Sequence, residues 1–290
     1  MKIKFLTLFT IALIMGIYGY RYFQQWNELT EDEGQQEFIY AVEHNDSNKV
    51  MEALKSGINL NQPIDDRLPL VVACEKGHEQ IADLLLKGGA NINLELSPGK
   101  TALFTAVEMK HSSMIGYLLK AGADPTLRLP NGWTLLHSLA YQGRKSDLKI
   151  FLDFMRASGK KIDLRDKHGI TPLMYAAANG HTKVVQLLML HGSDPNAKSI
   201  TGMTPLLFLA SSHRIHHQTA LYLVNNGANL NLVDRDGITP LMAAAHRNHE
   251  PLVVLFQSKG ADKGLKNKAG KTAFDIAFRL GNRQIASYLK

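Results

Sequence analysis

Residues 166–196 read DKHGITPLMYAAANGHTKVVQLLMLHGSDPN and contain the plan of a whole structural unit. Pro172 stands where a first helical turn loses no hydrogen bond, and its ring presets φ for a helix. Thr171 before it is a good N-cap. The small residues Ala176, Ala177 and Ala178 predict a short helix that a neighbour can approach closely. At Asn179-Gly180 the chain must reverse, and glycine supplies the left-handed conformation that such a reversal favours. His181 then leads into an apolar second helix, which ends near His191-Gly192. The stretch therefore predicts a turn, a short helix, a tight reversal and a second helix.

The same plan recurs along the chain. The third position of each triplet like Thr171-Pro172-Leu173 falls at Leu70, Leu103, Leu136, Leu173, Leu206, Leu241 and Phe274, at intervals of 33, 33, 37, 33, 35 and 33 residues. Full triplets stand also at Thr204-Pro205-Leu206 and Thr239-Pro240-Leu241; degenerate ones begin at Leu68, Thr101, Thr134 and Thr272. Gly77, Gly143, Gly180 and Gly281 hold the reversal, with Asn45 and Asn248 the next most tolerant residue. Lys110 and His213 depart from this rule. No single unit can bury its apolar face, so units must stack and share a core.

These residues resemble the ankyrin repeat: the triplet, the Gly-His step and the Gly-Ala-Asn ending recur in register over residues 35–290. The resemblance implies an all-α ankyrin-repeat solenoid of about eight helix-turn-helix repeats. Residues 35–61 form a degenerate first repeat with Phe38 at the leucine position, and 267–290 a last repeat that stops within its second helix. The interval of 37 predicts a second helix one turn longer, over Ser146 to Arg156. The interval of 35 places two extra residues around His213 to His217.

The N-terminus has a different character. Lys2 and Lys4 precede the uncharged run Phe5 to Tyr20, and Glu28, Glu31, Asp32 and Glu33 follow it. Residues 1–26 are expected to be a signal peptide or an N-terminal membrane anchor helix, and 27–34 an acidic linker. The aromatic residues Tyr18, Tyr20, Tyr22, Phe23 and Trp26 favour the anchor. Positive charge stays inside, so the body is expected on the outer side, in a bacterial periplasm or facing it.

Composition narrows the function. A chain that is 45% hydrophobic is not disordered. The single cysteine, Cys74, excludes a disulfide framework and reads as a small core residue. The net charge of +7 divides: residues 1–126 carry 11 Lys+Arg and 16 Asp+Glu (−5), whereas 127–290 carry 22 and 10 (+12). In a linear stack that division sets an acidic end against a basic one. An acidic partner would be steered to the basic end, and no nucleic-acid partner is expected.

His78, His111, His181 and His249 share the Gly-His step, and His137 follows its triplet, so all five read as structural. His213, His216 and His217 cluster, with His213 and His217 at helical spacing, but lack a nearby carboxylate for a metal. Neither metal nor cofactor is expected. Without a catalytic motif, the chain is expected to be no enzyme.

Binding remains. The resemblance implies partners across the turn tips and first-helix ends. There stand Pro130, Asn131, Trp133, Tyr141 and Gln142 in the fourth repeat, Lys167, His168, Ile170 and Asn179 in the fifth, and Met203 in the sixth. Arg235, Asp236, Ile238, His246 and Arg247 follow in the seventh. Trp133 either anchors a partner or packs against its neighbouring repeat; the anchor reading is preferred, because tryptophan and arginine dominate interface hot spots. The expected function is an immunity-type inhibitor that caps a toxin or lipolytic effector. The alternative is an accessory scaffold for a periplasmic enzyme, for example in oxidative-stress defence.

Overall fold

The computed structural model describes residues 33–290, so the expected signal or anchor segment 1–26 lies outside the described residues. Residues 33 and 34, expected in the linker, belong to a helix. The described chain forms two compact units, one reaching to Leu96 and the other Ser97–Lys290. Among the described residues the only β pairing is an isolated bridge between Ile64 and Arg67. None of their helices is long and apolar enough to cross a membrane.

The first unit contains α1 (33–43), α2 (Ser47–Lys55), α3 (Pro69–Lys76) and α4 (Glu79–Lys87). The second runs through α5 (Ala102–Glu108), α6 (Ser112–Lys120), α7 (Leu135–Gln142), α8 (Lys145–Ala157), α9 (Pro172–Ala178) and α10 (Thr182–Leu190). It continues with α11 (Pro205–Ser211), α12 (His217–Asn225), α13 (Pro240–His246), α14 (Glu250–Ser258), α15 (Ala273–Arg279) and α16 (Arg283–Leu289). Sixteen helices make eight pairs, the number of repeats expected from the spacing. In the second unit odd-numbered helices pack on one another, and so do even-numbered ones.

The triplets start the helices for the reason the sequence suggests. The hydroxyls of Thr101, Thr171, Thr204, Thr239 and Thr272 accept a backbone N–H three residues on. Leu68 has no side chain to cap with, and there Pro69 alone presets the first turn.

Leu70, Leu103, Leu136, Leu173, Leu206 and Leu241 are all buried, as is Phe38. Phe274, expected at the same core position, is only half-buried; α15 packs against α13 and α16, with no further repeat among the described residues to cover it. Deleting one of the buried leucines to alanine costs about 2–5 kcal/mol in such cores.

The two insertions differ in kind. Helix α8 has 13 residues where α6 and α10 have 9, so the interval of 37 is one added helical turn. The interval of 35 is a loop: α11 ends at Ser211, Ser212 is extended (φ −65°, ψ 163°), and α12 starts at His217. Lys110 does adopt the left-handed turn (φ 63°), as do Asn45 and Asn248. His213 does not, because the added residues complete the reversal another way.

Candidate functional site

In the second unit the segments before the first helices form a row of turn tips. Each tip closes on itself by a backbone bond: Leu129 N to Trp133 O, Asp166 N to Ile170 O, Ser199 N to Met203 O, Asp234 N to Ile238 O and Asn267 N to Lys271 O, all within 2.8–3.2 Å. A side chain braces most of them. Asp166 Oδ1 accepts the amides of His168 (2.8 Å) and Ile170 (2.9 Å), and Asp234 Oδ1 does the same for Asp236 and Ile238 (2.9 Å each).

Successive tips are then bonded to each other. Ile200 N donates to His168 O (2.9 Å), Arg235 N to Thr201 O (2.8 Å) and Lys268 N to Asp236 O (2.9 Å). Arg128 adds a clasp, its Nη1 donating to Gly132 O (2.7 Å) and to Arg165 O (2.8 Å) of the next tip. Arg165 repeats the device on Gly169 O and Lys198 O. The tip glycines are closely approached as well: a Cβ on Gly169 (φ 71°) would lie 2.9 Å from Ile200 N. The row is thus rigid in its backbone while its outward side chains vary.

An aromatic group stands beside the fourth and fifth tips. The Trp133 ring lies 4.6 Å from that of Tyr175 and 5.5 Å from that of Tyr141 between centroids. Trp133 Nε1 donates to the Tyr175 hydroxyl (3.0 Å), which donates to Asp166 Oδ2 (2.7 Å). Burial acts to raise the Asp166 carboxyl, but the Tyr175 hydroxyl and the two amides outweigh it and hold the group below its usual value. Burial, and then the Asp166 carboxylate, push the Tyr175 phenol above its own.

Four histidines share one architectural slot. His78 Nε2 donates to Glu43 O (3.1 Å) and His181 Nε2 to Tyr141 O (2.8 Å), linking a second helix to the preceding repeat's first helix. His216 faces the backbone of Ala178 in α9, and His249 that of His213 in the loop after α11. In two further repeats Arg144 on Val107 O and Asn282 on Ala245 O (3.1 Å) take this slot. The expected cluster of His213, His216 and His217 is therefore dissolved: His216 caps α12 in the shared slot, His217 opens that helix and His213 stays in the loop, so no helical face unites them. Among the described residues no group of three or more His, Cys, Asp or Glu side chains is placed to hold a metal. Cys74 is fully buried in α3, and burial pushes its thiol up to about 12.

The expected binding residues fall into two sets. Asn131, Trp133, Lys167, His168, Ile170, Met203, Arg235 and Ile238 belong to the tips. Tyr141, Gln142, Asn179, His246 and Arg247 lie at the far ends of α7, α9 and α13. The contact of Trp133 with Tyr141 joins the sets in the fourth repeat. Asn131, Tyr141, Gln142, Lys167, His168, Arg235, His246 and Arg247 are exposed, as are Pro130 and Asp236. Trp133, Ile170, Asn179, Met203 and Ile238 are half-buried. Met203 and Ile238 give their amides to the tip braces, and Asn179 Nδ2 donates to Tyr175 O of its own helix (2.9 Å).

Three participants were not singled out from the sequence. Tyr175 occupies a slot that elsewhere holds Thr105, Ser138, Phe208, Ala243 and Ile276, and this variability in register was its signal. Arg128 and Arg165 are 37 residues apart, the interval of their own triplets, and so share one slot.

The family model for ankyrin repeats (three copies) matches residues 38–129, 123–199 and 206–290. A probable palmitoyltransferase, AKR2, of Saccharomyces uvarum is 39% identical over 161 residues, 54% of this chain and 22% of that protein. Delta-latroinsectotoxin-Lt1a of Latrodectus tredecimguttatus is 43% identical over 65 residues, 22% of this chain and 5% of the toxin. Protein fem-1 homolog A-like of Mus musculus is 28% identical over 120 residues, 41% of this chain and 12% of that protein. The chain thus spans less than a quarter of each of these relatives. One expectation is corrected by them. The exclusion of an enzyme, drawn from missing motifs, does not stand, because a relative that shares over half of this chain bears the name of a palmitoyltransferase.

Proposed function

Because this chain belongs to the ankyrin-repeat family, a family of protein-binding scaffolds, we propose that it receives a protein partner on the tips and first-helix ends of residues 97–290. The observation that carries this is the bonding of tip to tip, from His168 O to Ile200 N, Thr201 O to Arg235 N and Asp236 O to Lys268 N. A backbone held in this way presents its side chains without a backbone ordering cost on binding, which favours a recognition surface. The residues that differ from repeat to repeat are the outward ones, among them Lys167, Ile200 and Arg235. Tyr141, exposed beside Trp133, supplies an aromatic anchor of the kind that dominates interfaces.

The finer reading is that the partner is an exported toxin or lipolytic effector, which the chain caps and neutralises in a bacterial periplasm. Its support is Lys2 and Lys4 ahead of the uncharged run Phe5 to Tyr20, with carboxylates behind. Deleting the gene separates this from the accessory role: growth arrest by an unrestrained effector supports the inhibitor, and a viable strain lacking another protein's activity supports the accessory scaffold.

The surface itself is tested by affinity capture with the tagged full chain and with Tyr141→Ala/Arg235→Glu. The variant is expected to lose its partner while melting at the parent temperature. A partner retained in full would overturn the assignment of this surface.

A further inference from the structure

Resting on the reading of the tips as the docking surface, we infer that the partner segment lying along the row from the fifth tip to the eighth is acidic and carries an apolar side chain near its middle. One slot of the row holds Lys167, Ile200, Arg235 and Lys268, and the last three give their amides to the preceding tip in the same way. Equivalent backbone bonds place their side chains equivalently, so the slot is a line of cation, isoleucine, cation, cation. All four are exposed, Ile200 to 54%.

Two further lysines reinforce the line. Lys198 occupies the slot in which Arg128 and Arg165 spend a guanidinium on carbonyls, and it is exposed. Lys271 closes the last tip and is exposed too. No ion pair among the described residues engages any of these cations.

The carboxylates of the row do not neutralise it. Asp166 is buried with both oxygens bonded, and Asp234 holds two amides of its own tip. Asp236 is the exposed carboxylate. Behind the row, α9, α11 and α13 contain no acidic residue, and in α15 the carboxylate of Asp275, near Lys271, accepts the amide and hydroxyl of Thr272. A cationic line with an isoleucine in it repels basic segments and rewards an acidic one that can cover the isoleucine.

The probe is a fluorescein-labelled twelve-residue peptide of glutamates and aspartates around one central leucine, titrated with the full chain by fluorescence anisotropy. Lys167→Glu/Arg235→Glu/Lys268→Glu is expected to weaken binding at least about tenfold, and binding should fall steeply as salt is raised. The control, Lys120→Glu/Lys183→Glu/Lys259→Glu, changes net charge equally in α6, in α10 and at the C-terminal end of α14, and should weaken it less than about threefold, because screened charges off the line contribute little. Ile200→Asp should weaken it as well. The inference is overturned if the peptide does not bind, if both triple variants weaken it alike, or if single-stranded DNA of the same charge binds better. If the captured partner is released by the tip variants yet the peptide fails, acidity is wrong and the docking surface stands; if neither depends on the tips, both fall.

Discussion

The imidazole of His216 lies directly against Gly180, so close that a Cβ on the glycine would stand 2.0 Å from Nδ1. Gly180 is thus required twice, by its φ of 69° and by the neighbouring repeat that rests on it. Gly143 stands in the same relation to His181, at 2.6 Å.

Gly180→Ala should therefore cost more than the left-handed conformation alone, which is worth about 1–2 kcal/mol. Gly281 is the internal control, because its φ is 76° but open space surrounds it. Urea unfolding should rank Gly180→Ala well below Gly281→Ala. Adding His216→Ala should recover the steric part while giving up the inter-repeat bond. Equal losses at the two glycines would refute the contact.

A second prediction concerns pH. His137, His216 and His249 all have their pKa lowered, chiefly by burial, with Arg214 acting on His216 and Arg247 on His249. The unfolded chain then binds protons more readily than the folded one just below the ordinary histidine value. Stability is therefore complete above about pH 6.5 and drains away as pH falls toward the lowered folded values. Urea midpoints measured between about pH 7.5 and 5.5 should fall, and His249→Asn, which installs the residue found at Asn282 in the same slot, should flatten the slope.

A third prediction isolates the Tyr175 hydroxyl, which accepts from Trp133 Nε1 and donates to Asp166 Oδ2. Tyr175→Phe keeps the ring but leaves a donor and a carboxylate oxygen short of a partner, at a cost of about 1–3 kcal/mol. Trp133→Phe should cost less, and in the double variant the losses should fall short of their sum, since the two groups share one network. Strict additivity by denaturant unfolding would contradict the shared network.

How far the sequence revealed all this depends on what the repeat samples more than once. The leucine register was legible because Leu70 to Leu241 repeat one burial environment six times, and Phe274 departs from it in α15, which among the described residues packs on α13 and α16. The four-residue insertion was legible because one helical turn preserves the face of α8. The two-residue insertion was not: without a glycine in the segment, counting cannot tell whether His213 or His216 takes the inter-repeat slot. The pairing of Trp133 with Tyr175 was hidden for another reason, since it joins two variable slots 42 residues apart and depends on where the side chains turn.

Repeat four offers the strongest single test, because there the histidine slot has become ionic. Arg144 donates to Val107 O and pairs through Nη2 with Asp147 Oδ2, while Asp147 Oδ1 accepts the Ser112 hydroxyl at 2.5 Å. The two side chains are only 12% and 7% exposed. Removing one member of so buried a pair strands the other charge, which costs about 3–5 kcal/mol. Asp147→Ala should therefore be severely destabilising. Arg144→His/Asp147→Ala should recover much of the loss, because it removes the stranded cation and restores the imidazole that His78 and His181 use for the same carbonyl bond. A double variant no more stable than Asp147→Ala in urea would mean that the arginine does more here than occupy the shared slot.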